Sequence, residues 1–179
     1  MLYVRVPRDR IGVLIGKHGE VKRKIEEETG VRLIIDSESG EVTIDDSGAD
    51  PDKALRALNV VKAIARGFSP ERAFRLLQDG VYLEIIDIRD FAGKSRNRRI
   101  RLRGRVIGRK GRSRKTIEEM SGAYVSVYGD TVAIIGDPLQ IDLASRAVEK
   151  LLQGSKHSTA YRYIERRKRE LEFMELEGG

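Results

Sequence analysis

The apolar positions of this chain follow two blocks that share one order of elements. In the first block, short apolar runs and helical periodicities predict a strand, a helical turn, a helix, two strands and a closing helix. The boundaries are 2–6, 11–15, 20–29, 31–36, 41–45 and 50–66. The closing helix is amphipathic, and its inward positions are Ala54, Leu55, Leu58, Val61 and Ile64. The order is therefore βααββα.

The second block repeats this order after a helical linker at 68–80, in which 69–77 forms a short capped helix. Its elements are a strand at 82–88, a helical turn at 103–107, a helix at 112–121, strands at 123–128 and 131–135, and a helix at 138–153. The pattern predicts one domain at 1–67, a second at 81–153 and a helical extension at 154–179.

The extension has helical periodicity over 157–175, with a stripe of Tyr161, Ile164, Leu171 and Met174 and with the basic residues 166–169 facing away. Such a stripe packs either on the body of the protein or on a partner.

The two blocks are also related in sequence, at an offset of 92 residues. Ile15-Gly16-Lys17-His18-Gly19 recurs as Ile107-Gly108-Arg109-Lys110-Gly111. The same offset aligns Gly12 with Gly104, the Ile-Glu-Glu at 25–27 with that at 117–119, and Gly30 with Gly122. This is a tandem duplication. The second copy carries an insertion of about ten residues near 89–99, judged from the distance between its first strand and its loop.

Composition and charge narrow the function. The 179 residues are 40% apolar and 35% charged and carry a net charge of +7. Residues 1–92 hold 15 Lys and Arg against 17 Asp and Glu, a net of −2, whereas residues 93–179 hold 20 against 11, a net of +9. A basic second half indicates a polyanionic partner. The absence of Cys excludes disulfides and thiolate sites. We expect a cytoplasmic protein without a signal peptide or a membrane span.

The basic run at 94–115 contains twelve Lys and Arg and no acidic residue. Ile100, Leu102, Val106 and Ile107 interrupt it, so we expect the run to fold onto a core. In its middle, Gly108 and Gly111 bracket two cations. Two glycines at this spacing let backbone N–H groups approach a phosphate, and the following helix adds positive potential at its N-terminus. The loop therefore indicates a clamp for a sugar-phosphate backbone.

Enzymatic alternatives have little support in the sequence. No phosphate-binding P-loop and no dinucleotide-binding Gly-x-Gly-x-x-Gly is present. The glutamates at 26–28 and 118–119 point in different directions on their helices, so we interpret them as solvated faces rather than as acid/base pairs. We expect no cofactor, no metal and no catalytic residue. The enzymatic hypothesis that stays open is a nuclease that uses clustered Asp and Glu side chains.

The duplicated Ile-Gly-x-x-Gly loop, set between two helices and followed by Ile-Glu-Glu and a helix-ending glycine, resembles the KH domain. This resemblance implies an α+β fold of two tandem type I KH domains, each a three-stranded antiparallel sheet on three helices, plus a C-terminal helix. It also implies that each loop clamps about four nucleotides of single-stranded RNA. The implied RNA contacts are Gly104, Arg105, Ile107, Gly108, Arg109, Lys110, Gly111, Arg112, Arg114, Lys115 and Val125, with Gly16, Lys17, His18, Gly19 and Lys22 in the first unit.

Two details qualify these contacts. His18 is either a phosphate or base contact or an ordinary exposed histidine. Lys22 and Arg114 stand where KH sequences carry an aliphatic residue, which predicts a more electrostatic groove than usual.

The chain combines two KH-like units over nearly its whole length, a basic second unit and a tail pattern of Gly154, His157, Tyr161 and Glu165. This combination resembles the archaeal KH proteins related to the Dim-two, Krr-one and partner-of-Nob-one ribosome-assembly factors. This resemblance implies binding near the 3′ end of small-subunit rRNA. It also implies contact with the alpha subunit of archaeal initiation factor two or with an assembly endonuclease. We expect the second loop to dominate RNA binding; the first unit either binds RNA or serves as a protein platform. The alternative function is an RNA and protein adaptor in translation initiation or RNA decay.

Overall fold

The computed structural model describes residues 1–178, which divide into two compact units, one from Met1 to Leu83 and one that begins at Glu84. The first unit contains β1 (Leu2–Arg5), α1 (Arg8–Ile15), α2 (Glu20–Thr29), β2 (Arg32–Ile35), β3 (Glu41–Asp45), α3 (Pro51–Ala65) and α4 (Pro70–Ala73). The second contains α5 (Arg89–Ala92), α6 (Arg96–Ile107), α7 (Arg112–Ser121), β5 (Tyr124–Tyr128), β6 (Thr131–Gly136), α8 (Pro138–Leu152) and α9 (His157–Gly178), and the division falls near the start of β4 (Tyr82–Asp87).

Each unit has one three-stranded antiparallel sheet with its last strand in the middle, in the orders β1-β3-β2 and β4-β6-β5. Val4 pairs with Val42 in the first sheet, and Val125 pairs with Ile134 in the second. In each unit, apolar residues from one face of the sheet and from the helices pack together as the core. Ile25 and Ile44 lie in the core of the first unit, and Ile117 lies in that of the second. The predicted α+β fold of two βααββα units with a C-terminal helix is confirmed.

The helices at the start of each unit are longer than predicted. The first was expected at 11–15 and begins at Arg8, and the second was expected at 103–107 and begins at Arg96. Its N-cap is Ser95, whose hydroxyl accepts a hydrogen bond from the Arg98 amide at 3.2 Å. The basic insertion near 89–99 is therefore mostly helical: it contains α5, a turn at 93–94 and the first turn of α6.

Two apolar positions were assigned to the wrong environment. Leu55 on α3 is 54% exposed, because Ala54, Ala57, Val60, Val61 and Ile64 already form the buried face. Ile100 is 46% exposed, on the side of α6 away from buried Leu102 and Val106. Of the predicted stripe on α9, Met174 is 61% exposed and does not pack on the body, since that helix contacts α7 and α8 through its earlier turns.

None of the helices in residues 1–178 combines the length and the apolar character that crossing a bilayer requires.

Candidate nucleic-acid interface

The two Gly-x-x-Gly loops have the same backbone conformation. Gly16 has φ and ψ of 77° and 172°, and Gly108 has 73° and 174°. The third loop residue is left-handed in both, with φ of 54° and ψ of 26° at His18 and 55° and 29° at Lys110. Two segments with different side chains therefore adopt one shape, which the shared glycines permit.

The first glycine of each loop is required by close packing as well as by its positive φ. A Cβ at Gly108 would lie 2.6 Å from the Cβ of Ser113 and 2.7 Å from its backbone nitrogen. A Cβ at Gly16 would lie 2.5 Å from Cγ2 of Val21. The second glycine, Gly111, has open space around it and is favoured by its φ of +73° alone.

Each loop ends on a helix N-terminus that has no side-chain cap. Gly19 and Gly111 are the N-cap residues of α2 and α7, and neither offers a side-chain oxygen to the first amides of its helix. Uncapped amides and the helix dipole together favour an anion at this position. The loop closes on itself, because the Gly111 amide donates to the Gly108 carbonyl at 3.2 Å.

Charge distinguishes the loops. Lys17, His18, Arg109 and Lys110 are all exposed. The residue after the second glycine is Glu20 in the first unit and Arg112 in the second, at the same place on the helix N-terminus. On the second unit, a shallow depression of about 330 Å³ follows α7 away from the loop; it is lined by Lys110, Arg112, Lys115, Thr116 and Glu119.

A partly buried carboxylate, that of Glu118, connects α7 to the edge of β5. The Val125 amide donates to Oε2 of Glu118 at 2.7 Å, and Nη1 of Arg114 donates to Oε1 of Glu118 at 2.8 Å and to the Val125 carbonyl at 3.4 Å. The Glu118 side chain is only 14% exposed. The Val125 amide is therefore hydrogen-bonded to Glu118 and the Val125 carbonyl to Arg114, at the strand edge that was predicted to face the bases.

The first unit repeats this arrangement. The Leu33 amide donates to Oε2 of Glu26 at 2.9 Å, and Nζ of Lys22 lies 3.7 Å from Oε1 of Glu26. The interpretation of Glu26 and Glu118 as solvated residues was wrong, because each accepts a hydrogen bond from a strand amide. The basic residues at positions 22 and 114 each pair with that glutamate.

Two predicted RNA contacts are directed elsewhere. The guanidinium of Arg105 donates through Nε to the Leu151 carbonyl at 3.0 Å and through Nη2 to the Ser155 carbonyl, at the end of α8. The Val125 side chain is 1% exposed and lies in the core. In the first unit, Arg10 makes the equivalent contacts: its guanidinium donates to the carbonyls of Ile64 and Phe68 at the end of α3. These arginines stabilise a helix C-terminus.

The other predicted residues of the second unit surround the loop. Gly104 is exposed on α6, one turn before the loop, and a Cβ there would meet open space. Ile107 is half-buried beside Gly108, whereas Arg109, Lys110, Arg112 and Lys115 are exposed.

The sequence did not predict that residues of α9 contact α6 and α7 next to the second loop. The Tyr161 hydroxyl donates to Oγ of buried Ser113 at 3.3 Å, and Nε2 of His157 lies 2.9 Å from the Arg105 carbonyl. Nζ of Lys168 donates to the Met120 carbonyl at 3.1 Å. His157 and Tyr161 belong to the tail pattern noted in the sequence, so a signal existed, although their contacts could not be read from it.

Within residues 1–178, no cluster of three or more His, Cys, Asp or Glu is placed to hold a metal ion.

Comparison with known protein families gives two matches that cover most of the chain. Residues 82–169 match the family of the second KH domain of PNO1, described as eukaryotic-type KH domain (KH-domain type I). Residues 1–63 match the KH domain family.

Relatives and solved structures are similar over nearly the whole length. KH domain-containing protein MJ0443 of Methanocaldococcus jannaschii is 47% identical over 97% of this chain and 77% of its own. The crystal structure of Dim2p from Pyrococcus horikoshii OT3 is 56% identical, with a TM-score of 0.84 over 92% of this chain and 98% of that one. Dim2p in the a/eIF2alpha-aDim2p-rRNA complex of the same organism is also 56% identical, with a TM-score of 0.86 over 94% of both chains.

Proposed function

The chain belongs to the KH-domain family, as a tandem type I KH protein related to archaeal Dim2p, and from this premise we propose that it binds single-stranded RNA from the 3′-end region of small-subunit rRNA in ribosome assembly. The observation that carries this proposal is the shared conformation of the loops at Gly16–Gly19 and Gly108–Gly111. The relative in the solved complex, 56% identical, is bound to rRNA and a/eIF2alpha.

Each loop takes the RNA phosphates. Its backbone amides and the uncapped helix behind it hold the phosphate oxygens, and Lys17 and His18, or Arg109 and Lys110, add charge. Bases then lie in the groove between the loop helices and the edge strand, and contacts to 2′-hydroxyls favour RNA over DNA. Because the phosphate contacts displace counterions, affinity falls as salt rises.

Both units bind RNA in this proposal. The first loop has the same backbone shape as the second, which a unit serving only as a protein platform does not require. The second contributes the larger share, since Arg112 replaces Glu20 beside the phosphate and the surrounding half of the chain carries a net charge of +9, with 20 basic and 11 acidic residues.

A protein partner accompanies the RNA. The alpha subunit of the archaeal initiation factor is the candidate, because the solved complex of the relative contains a/eIF2alpha. This would make the protein an adaptor as well as an RNA binder. We also propose that the protein contacts an assembly endonuclease, that it is not itself catalytic and that it is cytoplasmic. These three points rest on the family resemblance.

The test is binding of the full chain to a fluorescent RNA that ends at the 3′ end of small-subunit rRNA. Asp at Gly108 or Gly16 distorts the loop, because no Cβ fits there, and it also adds a carboxylate beside the phosphate position. Gly108→Asp should therefore weaken binding strongly, Gly16→Asp less, and the double variant most. Gly48→Asp is the matched control, because Gly48 lies in a surface turn with open space around it. Wild-type affinity in a folded double variant would refute the proposal. Cleavage of the RNA in the presence of Mg²⁺ would refute the non-catalytic part alone.

A further inference from the structure

A second basic surface lies on the C-terminal extension, between α8 and α9. It is a depression of about 360 Å³ lined by Lys150, Thr159, Arg162, Tyr163, Arg166 and Arg169. We call it the α8–α9 depression. Four of the six lining residues are cations, and none is acidic.

The lining residues of α9 are spaced so that most of them share one face of the helix. Thr159, Arg162, Arg166 and Arg169 follow each other at intervals of three, four and three residues, which places them on one helix face over roughly 15 Å. Tyr161, on another face of the same helix, contacts Ser113 beside the second loop. The helix therefore carries the loop support and the basic stripe on different faces.

An aromatic ring, rather than carboxylates, orders the cations. Nζ of Lys150 lies 5.1 Å from the centre of the Tyr163 ring, and Cζ of Arg166 lies 5.9 Å from it. Cation–π contacts hold a charged group in place without neutralising it. The one ion pair of the depression within residues 1–178 joins Arg166 to Glu170 at 3.8 Å, where both side chains are at least half exposed and the pair is weak.

We propose that the α8–α9 depression binds phosphate groups of an RNA segment that extends beyond the second KH groove. Clustered cations with little neutralisation repel one another until a polyanion binds, and guanidinium groups pair with phosphate through two hydrogen bonds. Tyr163 and Thr159 provide a ring and a hydroxyl for the nucleotide.

RNA is a better candidate for this depression than an acidic protein, because the depression lies close to the second loop. The KH groove holds about four nucleotides, so a longer strand must continue over another surface. Arg162 and Arg166 lie one and five residues after Tyr161, about 1.5 and 7.5 Å further along the helix axis. They lie on a different face of α9 from Tyr161, and because a helix with its side chains is about 10–12 Å across, an RNA strand that leaves the second loop reaches them by passing around α9 over a few further nucleotides. This step rests on the proposed function.

The experiment compares two fluorescent RNAs that share one 3′ end, one of about 6 nucleotides, which covers a single KH groove, and one of about 20. The full-length double variant Arg162→Gln/Arg166→Gln should bind the short RNA like the wild type and the long RNA about tenfold more weakly. Its log affinity for the long RNA should also depend less on log salt, by about 1.4 for two lost phosphate contacts. The control is Arg146→Gln, an exposed arginine of α8 outside the depression.

Two outcomes would overturn the inference. Equal affinity and equal salt dependence of variant and wild type for the long RNA would exclude phosphate binding at the depression. Unchanged RNA binding with lost capture of purified initiation factor alpha subunit would assign the depression to an acidic protein instead. Gly108→Asp separates this inference from the proposed function, because it should weaken binding of both RNAs whether or not the depression binds.

Discussion

The Tyr161 hydroxyl donates a hydrogen bond to Oγ of Ser113, and Ser113 in turn packs against Gly108 so closely that no Cβ fits there. The C-terminal helix is thereby connected to the first glycine of the second loop through one buried serine. This contact explains why the extension belongs to the second unit, and it has a measurable consequence for stability.

Replacing Tyr161 by Ala should lower the free energy of unfolding by about 2 kcal/mol, because a half-buried ring and its hydrogen bond are lost. Tyr161→Phe isolates the hydroxyl and should cost about 1 kcal/mol. Urea denaturation measures both. Phe173→Ala on the same helix is the control, since Phe173 is 62% exposed; an equal loss there would mean that α9 is stabilised along its whole length.

Gly104 should separate stability from RNA binding. It lies inside helix α6 with open space for a Cβ, so Gly104→Ala should raise the free energy of unfolding by about 0.5–1 kcal/mol. If RNA passes over this glycine, the same variant should bind the rRNA fragment several-fold more weakly. Thermal unfolding and fluorescence anisotropy test the two effects. Unchanged affinity would remove Gly104 from the RNA contacts.

The residue after the second glycine should tune affinity in opposite directions. Glu20→Arg should raise affinity for the rRNA fragment, and Arg112→Glu should lower it, because each side chain lies at a helix N-terminus proposed to hold phosphate. Anisotropy titrations at several KCl concentrations measure this. Glu71→Arg makes the same change of charge at an exposed residue of α4. A rise as large as that of Glu20→Arg would show an effect of net charge alone.

Glu118 should matter to folding far more than its neighbour. Glu118→Ala leaves the Val125 amide without its acceptor and Arg114 without its carboxylate, so the free energy of unfolding should fall by about 1–3 kcal/mol. The exposed Glu119 offers the matched control, and Glu119→Ala should stay within about 0.5 kcal/mol of wild type. Similar values from urea denaturation would contradict the structural role of Glu118.

Glu84 should make the second unit sensitive to pH. Burial raises the pKa of its carboxyl above the ordinary value of 4.5, and the nearby carboxylates of Glu149 and Asp142 add to this, against the hydrogen bond from Ser145 and the charge of Arg146. Because the folded state holds this proton more tightly than the unfolded state, the free energy of unfolding should fall as pH rises from about 4.5 through the raised pKa.

The Glu84→Gln variant should lose that part of the pH dependence and should be more stable than wild type at neutral pH. Urea unfolding across this pH range tests it, with exposed Glu172→Gln as control for the change of net charge. A pH profile of Glu84→Gln that parallels the wild type would contradict the assignment.

The sequence predicted the topology and the loops because both depend on local signals that occur twice. Glycine spacing and apolar periodicity specify α2 and α7, whose observed bounds agree with the prediction at both ends. The first turns of α6 were missed because arginines there obscure the apolar periodicity, and only the N-cap at Ser95 marks its beginning.

The contacts that support the site could not be predicted, since they join distant parts of the chain. Arg105 belongs to a run of cations and looked like an RNA contact; only the folded position of α8 shows that its guanidinium binds carbonyls 46 and 50 residues later. The same holds for Glu118, whose role depends on the position of the β5 edge.

Throughout residues 1–178, the non-glycine residues with positive φ are His18 and Lys110, at the same place in the two loops. A left-handed conformation costs a residue with a side chain about 1–2 kcal/mol. The surrounding helices hold both residues there before any RNA arrives, so the loops lose little conformational freedom on binding. The proposed clamps are therefore pre-organised at the expense of folding free energy. Glycine at position 18 or 110 would relieve this strain and give a more stable protein with a looser, weaker clamp.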